Sequence, residues 1–385
     1  MTTTINDEHK KLNVPNSTDY GNAFRNVPGL RFPEFQGEWE KCRFSDSCSF
    51  FSGGTPNSSN KEFYGGDIPF IRSGELHKEE TELFITQSGY DNSSAKMVEV
   101  GDLLLAMYGA TSGDIAISKI NGAINQAILC IRTEQNKKFI ESVWNKHVSK
   151  ILIKYLQGGQ GNLSADIVKH ISFSFPSLDE QEKLSRLMSL LDERIAIQSK
   201  VIDKLQSLIK GIAHKISKQG MPNVRLSECL LCSSSTLQES DVAEVGAYPV
   251  YGANGVVGYL DTYNTTSEAV YIIKDGSGVG SVSYVKGKCS ATGTLNILQA
   301  KDGFSLRFLY FMLKVFSFEP YKTGMAIPHI YFKDYGKAKV FCPSYTEQFQ
   351  YARLLSAIDN KLSIEQNILT ELSLQKQCLL RQMFI

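Results

Sequence analysis

Residues 176 to 205 read PSLDEQEKLSRLMSLLDERIAIQSKVIDKL, and residues 343 to 372 read PSYTEQFQYARLLSAIDNKLSIEQNILTEL. The two stretches align without a gap at a constant offset of 167 residues, and 10 of the 30 positions are identical. Pro176, Ser177, Glu180, Gln181, Arg186, Leu187, Ser189, Asp192, Ile197 and Leu205 match Pro343, Ser344, Glu347, Gln348, Arg353, Leu354, Ser356, Asp359, Ile364 and Leu372. A repeat of this kind fixes the architecture around it. Each copy opens on Pro-Ser with acidic residues close behind, as a helix start favours, and then runs without proline for about 40 residues.

Both copies therefore read as long helices, and their apolar residues form a stripe. In the first copy it passes through Leu184, Leu187, Leu191, Ile195, Gln198, Ile202, Leu205, Ile209, Ile212 and Ile216, with steps of three and four residues. Such a stripe is the seam of a coiled coil. The same offset gives Tyr351, Leu354, Ile358, Leu362, Glu365, Leu369, Leu372, Lys376, Leu379 and Met383. The second seam keeps the one irregular 4, 4 step and again carries a polar residue in fifth place. Shared irregularities point to duplication, and the simplest arrangement buries the two seams on each other. A helix over residues 179–216 is roughly 57 Å long at 1.5 Å per residue, which makes it a rigid spacer.

A globular segment precedes each helix. Arg43-Phe-Ser-Asp opens the first and the similar Arg225-Leu-Ser-Glu the second. Each later holds an apolar run, a Gly/Ser turn and a second run, LLLAMYGATSGDIAIS at 103–118 and AVYIIKDGSGVGSVSYV at 269–285, which predict β-hairpins. The fold class read from this pattern is α+β: two β-rich heads separated by two long antiparallel helices. The expected boundaries are an amino-terminal extension over 1–38, a first recognition domain over 39–176, the central helix over 177–220, a second recognition domain over 221–343, and the distal helix over 344–385.

Composition removes several function classes. The 385 residues are 42% apolar, enough for real cores, and no apolar run approaches the roughly 18 residues of a membrane span. No membrane partner is expected, and the reading is a cytoplasmic protein. The eight cysteines are scattered, and the close pair Cys229 and Cys232 lacks a second pair of ligands for zinc. Net charge is +1, and both heads are near balance, with 14 basic against 15 acidic residues over 39–176 and 11 against 10 over 222–343. Phosphate binding would then need charges sorted in space. No Pro-Pro occurs, which excludes the Asn/Asp-Pro-Pro-aromatic motif of amino-group methylation. Gly287-Lys288 is followed by Cys289, so the phosphate loop GxxxxGK[ST] is absent. The glycines of Gly276-Ser277-Gly278-Val279-Gly280 lie ahead of a β-branched strand where a dinucleotide site needs a helix start, and they read as a hairpin turn. No catalytic, cofactor-binding or metal-ligating residue is expected.

A globular segment followed by a Pro-x-x-x-Glu-Gln phrase opening a long helix, occurring twice, resembles the specificity subunits of Type I restriction-modification enzymes. The likeness covers nearly the whole chain, and the phrase Val27–Trp39 resembles the amino terminus of many such subunits. The resemblance implies a non-catalytic DNA-binding subunit whose heads each read one half of an asymmetric bipartite site in double-stranded DNA, with the helices fixing the unread gap. It implies two modification subunits carrying S-adenosylmethionine for adenine N6 methylation, and restriction subunits using ATP and Mg. Base-reading residues vary within the family, so candidates are chosen by chemistry from polar loops. They are Arg72, Ser73, Tyr108, Ser112, Gln160 and Asn162 in the first head, and Tyr251, Asn254, Lys274, Ser277, Lys322 and His329 in the second. The rival is a non-catalytic protein-interaction scaffold with two β-rich ligand-binding heads; a nucleotide-dependent enzyme built on the Gly276 loop is a second alternative. If the helices are a ruler, adding seven residues to both lengthens each by roughly 10 Å and widens the unread gap by about three base pairs. Sequencing of methylated sites reads this directly, and an unchanged gap in an active variant refutes the ruler.

Overall fold

In the computed structural model, which describes residues 26–155, 163–276, 278–324 and 327–385, the chain divides into two units. Unit 1 comprises the residues up to Arg194 together with Leu372–Ile385, and unit 2 comprises Ile195–Glu371. Unit 1 runs through β1 (Glu40–Arg43), α1 (Phe44–Ser47), β2 (Cys48–Ser52), β3 (Tyr64–Ile71), β4 (Phe84–Ile85), α2 (Gln87–Asp91), β5 (Lys96–Val98), β6 (Leu103–Ala106), β7 (Ile115–Ile117), β8 (Gly122–Ile124) and β9 (Ile128–Thr133). It continues with α3 (Lys137–Tyr155), α4 (Ala165–His170), β10 (Ser172–Phe175) and the long α5 (Leu178–Ser217), whose residues beyond Arg194 belong to unit 2. Unit 2 then adds β11 (Val224–Arg225), α6 (Leu226–Cys229), β12 (Leu230–Ser234), β13 (Tyr248–Gly252), β14 (Gly255–Leu260), β15 (Glu268–Ile273), β16 (Val282–Lys286), β17 (Ser290–Ala291), β18 (Leu295–Ala300), α7 (Leu306–Val315), α8 (Phe332–Tyr335), β19 (Lys339–Val340) and α9 (Tyr345–Met383), which passes back into unit 1 at Leu372.

The two units share one plan. An antiparallel strand pair, β1 with β10 and β11 with β19, joins the first and last strands of each head. A four-stranded sheet has the order β2-β9-β6-β7 in unit 1 and β12-β18-β15-β16 in unit 2. Its inner strand β6, Leu-Leu-Leu-Ala, is buried at all four positions, as a continuous apolar run covered on both faces should be. A second sheet, β4-β3-β8-β5 or β14-β13-β17, contains a parallel pair in both units: Ile71 is paired with Ile124, and Tyr251 with Ala291. The opening phrases fold alike too, since Asp46 and Glu228 accept from the backbone N–H of Arg43 and Arg225 at the starts of α1 and α6.

Each long helix is joined to its head by one glutamine. Gln181 accepts a hydrogen bond from the Asn136 backbone N–H (3.1 Å) and donates through Nε2 to the Pro176 carbonyl (2.9 Å). Gln348 does the same with the Ser305 N–H (2.9 Å) and the Pro343 carbonyl (3.0 Å). Asn136 and Ser305 in turn accept from the N–H groups of Phe139 and Phe308, so they cap the starts of α3 and α7. About three turns further along each long helix, Lys138 of α3 pairs with Asp192 (2.7 Å) and Arg307 of α7 with Asp359 (2.6 Å).

Antiparallel helix pairing is seen within each unit. In unit 2, Ile202 and Ile209 of α5 share a core with Leu355 and Leu362 of α9, and Leu205, Ile358 and Leu369 pack against it. In unit 1, Leu184 and Met188 share a core with Met383, and Leu187, Leu191 and Leu379 pack on its margin. Ile195 is half-buried and Leu372 buried. Leu354 departs from the expected seam: it is 50% exposed. The buried face of the first turns of α9 is Gln348, Ala352 and Leu355, matching Gln181, Ser185 and Met188 in α5. There the helix packs on its own head, and that contact turns the buried stripe by about one residue from the coiled-coil seam. Leu355→Ala is therefore expected to cost roughly 2–5 kcal/mol and Leu354→Ala less than about 0.5 kcal/mol; equal losses in urea unfolding would return Leu354 to the core.

Candidate nucleic-acid interface

Parallel strands deliver their carboxyl ends side by side, and in unit 1 this gathers the loops that carry polar chemistry. The Asn125 N–H donates to Ile71 O (3.3 Å), so Arg72-Ser73 and Asn125-Gln126 leave neighbouring strand ends together. The Gly54 N–H donates to Ile124 O (3.2 Å), which brings Gly53-Gly54-Thr55 across the same end. A Cβ on Gly53 would lie 1.8 Å from that carbonyl oxygen, so only glycine permits the crossing. The Met107 N–H donates to Ala127 O (2.8 Å) and Met107 O accepts from the Leu163 N–H (3.0 Å), adding the loop after β6 and the entry to α4.

Unit 2 repeats these bonds. The Thr292 N–H donates to Tyr251 O (2.8 Å), the Lys274 N–H to Thr294 O (3.0 Å), and the Ile330 N–H to Lys274 O (2.9 Å). Asn125, Ala127, Met107 and Leu163 correspond to Thr292, Thr294, Lys274 and Ile330 at the offset of 167 residues already found in the helices. The Gly276 loop belongs to the same scheme. Gly113 N–H donates to Ala106 O and Gly280 N–H to Ile273 O, and both glycines have positive φ, 87° and 90°. The glycines thus serve a hairpin turn between β15 and β16, as their equivalents do between β6 and β7.

Of the candidates in unit 1, Arg72, Ser73, Tyr108 and Ser112 lie on this edge. The Arg72 guanidinium donates to both carboxylate oxygens of Glu75, Nε to Oε2 (3.1 Å) and Nη2 to Oε1 (2.8 Å). Glu75 is buried and also accepts from the Thr81 hydroxyl (3.0 Å). The Arg72 hydrogen bond holds its carboxyl well below the ordinary range, at about 2. Ser73 is half-buried, Tyr108 is half-buried before the turn Gly109–Thr111, and the Ser112 hydroxyl donates to Met107 O (3.0 Å). Gln160 and Asn162 lie outside the described residues, as does Ser277. Residues the sequence did not single out complete the edge: Thr55, Asn125 and Gln126, and His77, whose Nε2 lies 2.9 Å from Asp114 Oδ1.

In unit 2 the edge joins Tyr251, Lys274 and His329. Tyr251 is half-buried with its ring edge-on to Tyr271 (5.8 Å), and burial pushes its phenol up. Asn254 is exposed in the turn between β13 and β14. His329 Nδ1 lies 2.7 Å from Asp275 Oδ1, and Lys322 pairs with Glu319. Among the described residues no group of three or more His, Cys, Asp or Glu could hold a metal. Burial pushes the Cys229 thiol up to about 12 and Cys232 up to about 11, as for ordinary core thiols.

Two loop edges with one backbone pattern and different side chains define a tandem binding protein with two distinct faces. The chain belongs to the family described as the Type I restriction modification DNA specificity domain, whose model matches residues 36–207 and 224–374. It is similar to the EcoprrI Type I specificity subunit of Escherichia coli, 22% identical over 356 residues, which covers 84% of this chain and 87% of that protein. The MjaVIII specificity subunit of Methanocaldococcus jannaschii is 24% identical over 203 residues, or 51% of this chain. The match covers 45% of that relative and 42% of the MjaIX subunit of the same organism, so the chain spans about half the length of these two. The fold is that of the solved Type I restriction-modification S subunit of M. genitalium, with a TM-score of 0.67, 18% identity, and coverage of 93% of this chain and 99% of that one.

The Glu75 carboxylate supplies a pH test of the unit 1 edge. Its folded pKa of about 2 lies below the ordinary 4.5, so its contribution is full above about 4.5 and is lost as pH falls toward 2. The stability gap between wild type and Glu75→Gln should therefore be widest near neutral pH and close through that window. A gap that stays constant to pH 2 in urea titrations would show that the ion pair contributes nothing.

Proposed function

We propose that the two edges read the two halves of an asymmetric bipartite site in double-stranded DNA. Modification subunits bound to this chain would methylate adenine N6 with S-adenosylmethionine, and restriction subunits would supply the ATP- and Mg-dependent steps. The chain itself serves as a non-catalytic specificity subunit and works in the cytoplasm. One observation carries the reading: the edges repeat the same backbone hydrogen bonds with different side chains, so a common frame presents two different chemistries. In unit 1 these are Arg72, Thr55, Tyr108 and Gln126; in unit 2 they are Tyr251, Asn254, Lys274, Lys322 and His329. Guanidinium, amide and hydroxyl groups are the ones that reach base edges, while ammonium groups neutralise phosphates. Different readers on one frame imply a target without a palindrome. Membership of a DNA specificity family weighs against the protein-only scaffold.

Mobility-shift assays on the chain co-expressed with its modification subunits test this, with affinity expected to fall steeply as salt rises. Lys274→Gln should weaken binding to all duplexes alike and reduce the slope of log affinity against log salt by about one. Binding that ignores salt, or a complete lack of binding to duplex DNA by the assembled complex, would overturn the proposal.

A further inference from the structure

Gln126 is exposed, yet its side chain is held. Its Oε1 accepts a hydrogen bond from the Thr55 hydroxyl, although the two residues are 71 positions apart in the chain. The backbone beneath is fixed as well: the Asn125 side chain accepts from the Ala127 N–H (3.2 Å), the Asn125 N–H bonds Ile71 O, and the Gly54 N–H bonds Ile124 O. The amide therefore stands on the unit 1 edge, beside the strand end that carries Arg72, with both rotor and backbone constrained. An exposed glutamine on a loop ordinarily samples several rotamers, and holding one lowers the entropy lost on binding. The equivalent position in unit 2 is Gly293, which has no side chain.

We infer that Gln126 is a base-reading residue of unit 1, specific for adenine, with Thr55 as its positioning residue. The amide matches the adenine edge in the major groove, Nε2 donating to N7 while the second lone pair of Oε1 accepts from the N6 amino group. The assignment rests on the DNA-reading proposal and adds to it the identity of one base and the head that reads it. Gly293 leaves the corresponding position of the other half-site unread by a side chain, which gives the two halves different information at equivalent places.

The test is the methylated motif, sequenced from a host lacking other adenine methylation that expresses the chain with its modification subunits. In Gln126→Ala one adenine of one half-site should become degenerate, with discrimination there falling about tenfold or more while the other half-site is unchanged. Thr55→Val, which keeps shape but removes the donor, should relax the same position by a smaller factor. A wild-type motif at normal methylation levels in Gln126→Ala would overturn the assignment. So would an even loss over all positions with a shallower salt slope, the mark of a phosphate contact. An unchanged motif in Thr55→Val alongside a relaxed one in Gln126→Ala would remove Thr55 from the mechanism. Failure of the wild-type complex to methylate any defined motif would instead refute the DNA-reading proposal itself.

Discussion

The primary amide of one glutamine per unit is the contact on which the rest depends. Gln181 and Gln348 each need an acceptor and a donor at once, because each takes a backbone N–H from the capping residue of α3 or α7 and gives an N–H to the proline carbonyl that precedes its own helix. Glutamate lacks the donor, and asparagine is one methylene shorter. Both amides are almost fully buried, so a lost partner would leave orphaned polar groups at a cost of about 1–3 kcal/mol each. The start of the long helix is thereby tied to the start of the head's helix, and the pairs Lys138–Asp192 and Arg307–Asp359 hold the same two elements about three turns along the long helix. A head fixed to its helix in this way carries its loop edge as a rigid attachment.

The edges follow from that rigidity. Their loops are anchored by backbone N–H and C=O groups, from Ile71–Asn125 and Met107–Leu163 in unit 1 to Tyr251–Thr292 and Lys274–Ile330 in unit 2, so the frame shared by the two units is carried by the main chain. Met107 can stand where Lys274 stands, and Asn125 where Thr292 stands, without altering the frame. This is how one duplicated unit supports two chemistries. The length difference between the heads fits the same account: the 167-residue offset already holds at Met107, so the additional residues of unit 1 lie upstream of it, where α2, β4 and β5 are found.

The sequence made the helices legible because their information is local and periodic, and the duplication displays it twice. It misled at Leu354, where helical spacing alone cannot say whether a turn faces the partner helix or its own head. It also hid a difference between identical residues. Glu180 is buried and paired with both Nε and Nη2 of Arg31, whereas Glu347 is exposed and caps Ser344. The edges were legible only in part. Arg72, Tyr108, Lys274 and His329 sit in loops with polar composition, but Gln126 and Thr55, 71 residues apart, become neighbours because the Gly54 N–H crosses to the Ile124 carbonyl, which no local pattern announces. Around 276 the glycines were legible as a hairpin turn, because a strand follows them; glycine spacing alone would not have decided, since a tight turn and a phosphate loop both need residues with positive φ.

The polar residue in fifth place of each seam now has a physical meaning. Two antiparallel copies of one helix bring a residue against its own repeat equivalent only where they cross, and Gln198 meets Glu365 there, 167 residues away. Gln198 Nε2 donates to the Glu365 backbone carbonyl (2.9 Å) and to its carboxylate, which Lys361 also pairs. A slip of the helices by one turn would bury Glu365 against isoleucine or leucine and leave the amide without partners, a penalty that disfavours the slipped register. A purely apolar seam would tolerate several registers; one polar pair selects a single register, at some expense of stability. That is why the irregularity survived in both copies while so much of the heads diverged: register is the property both helices must agree on, and neither copy can change it alone.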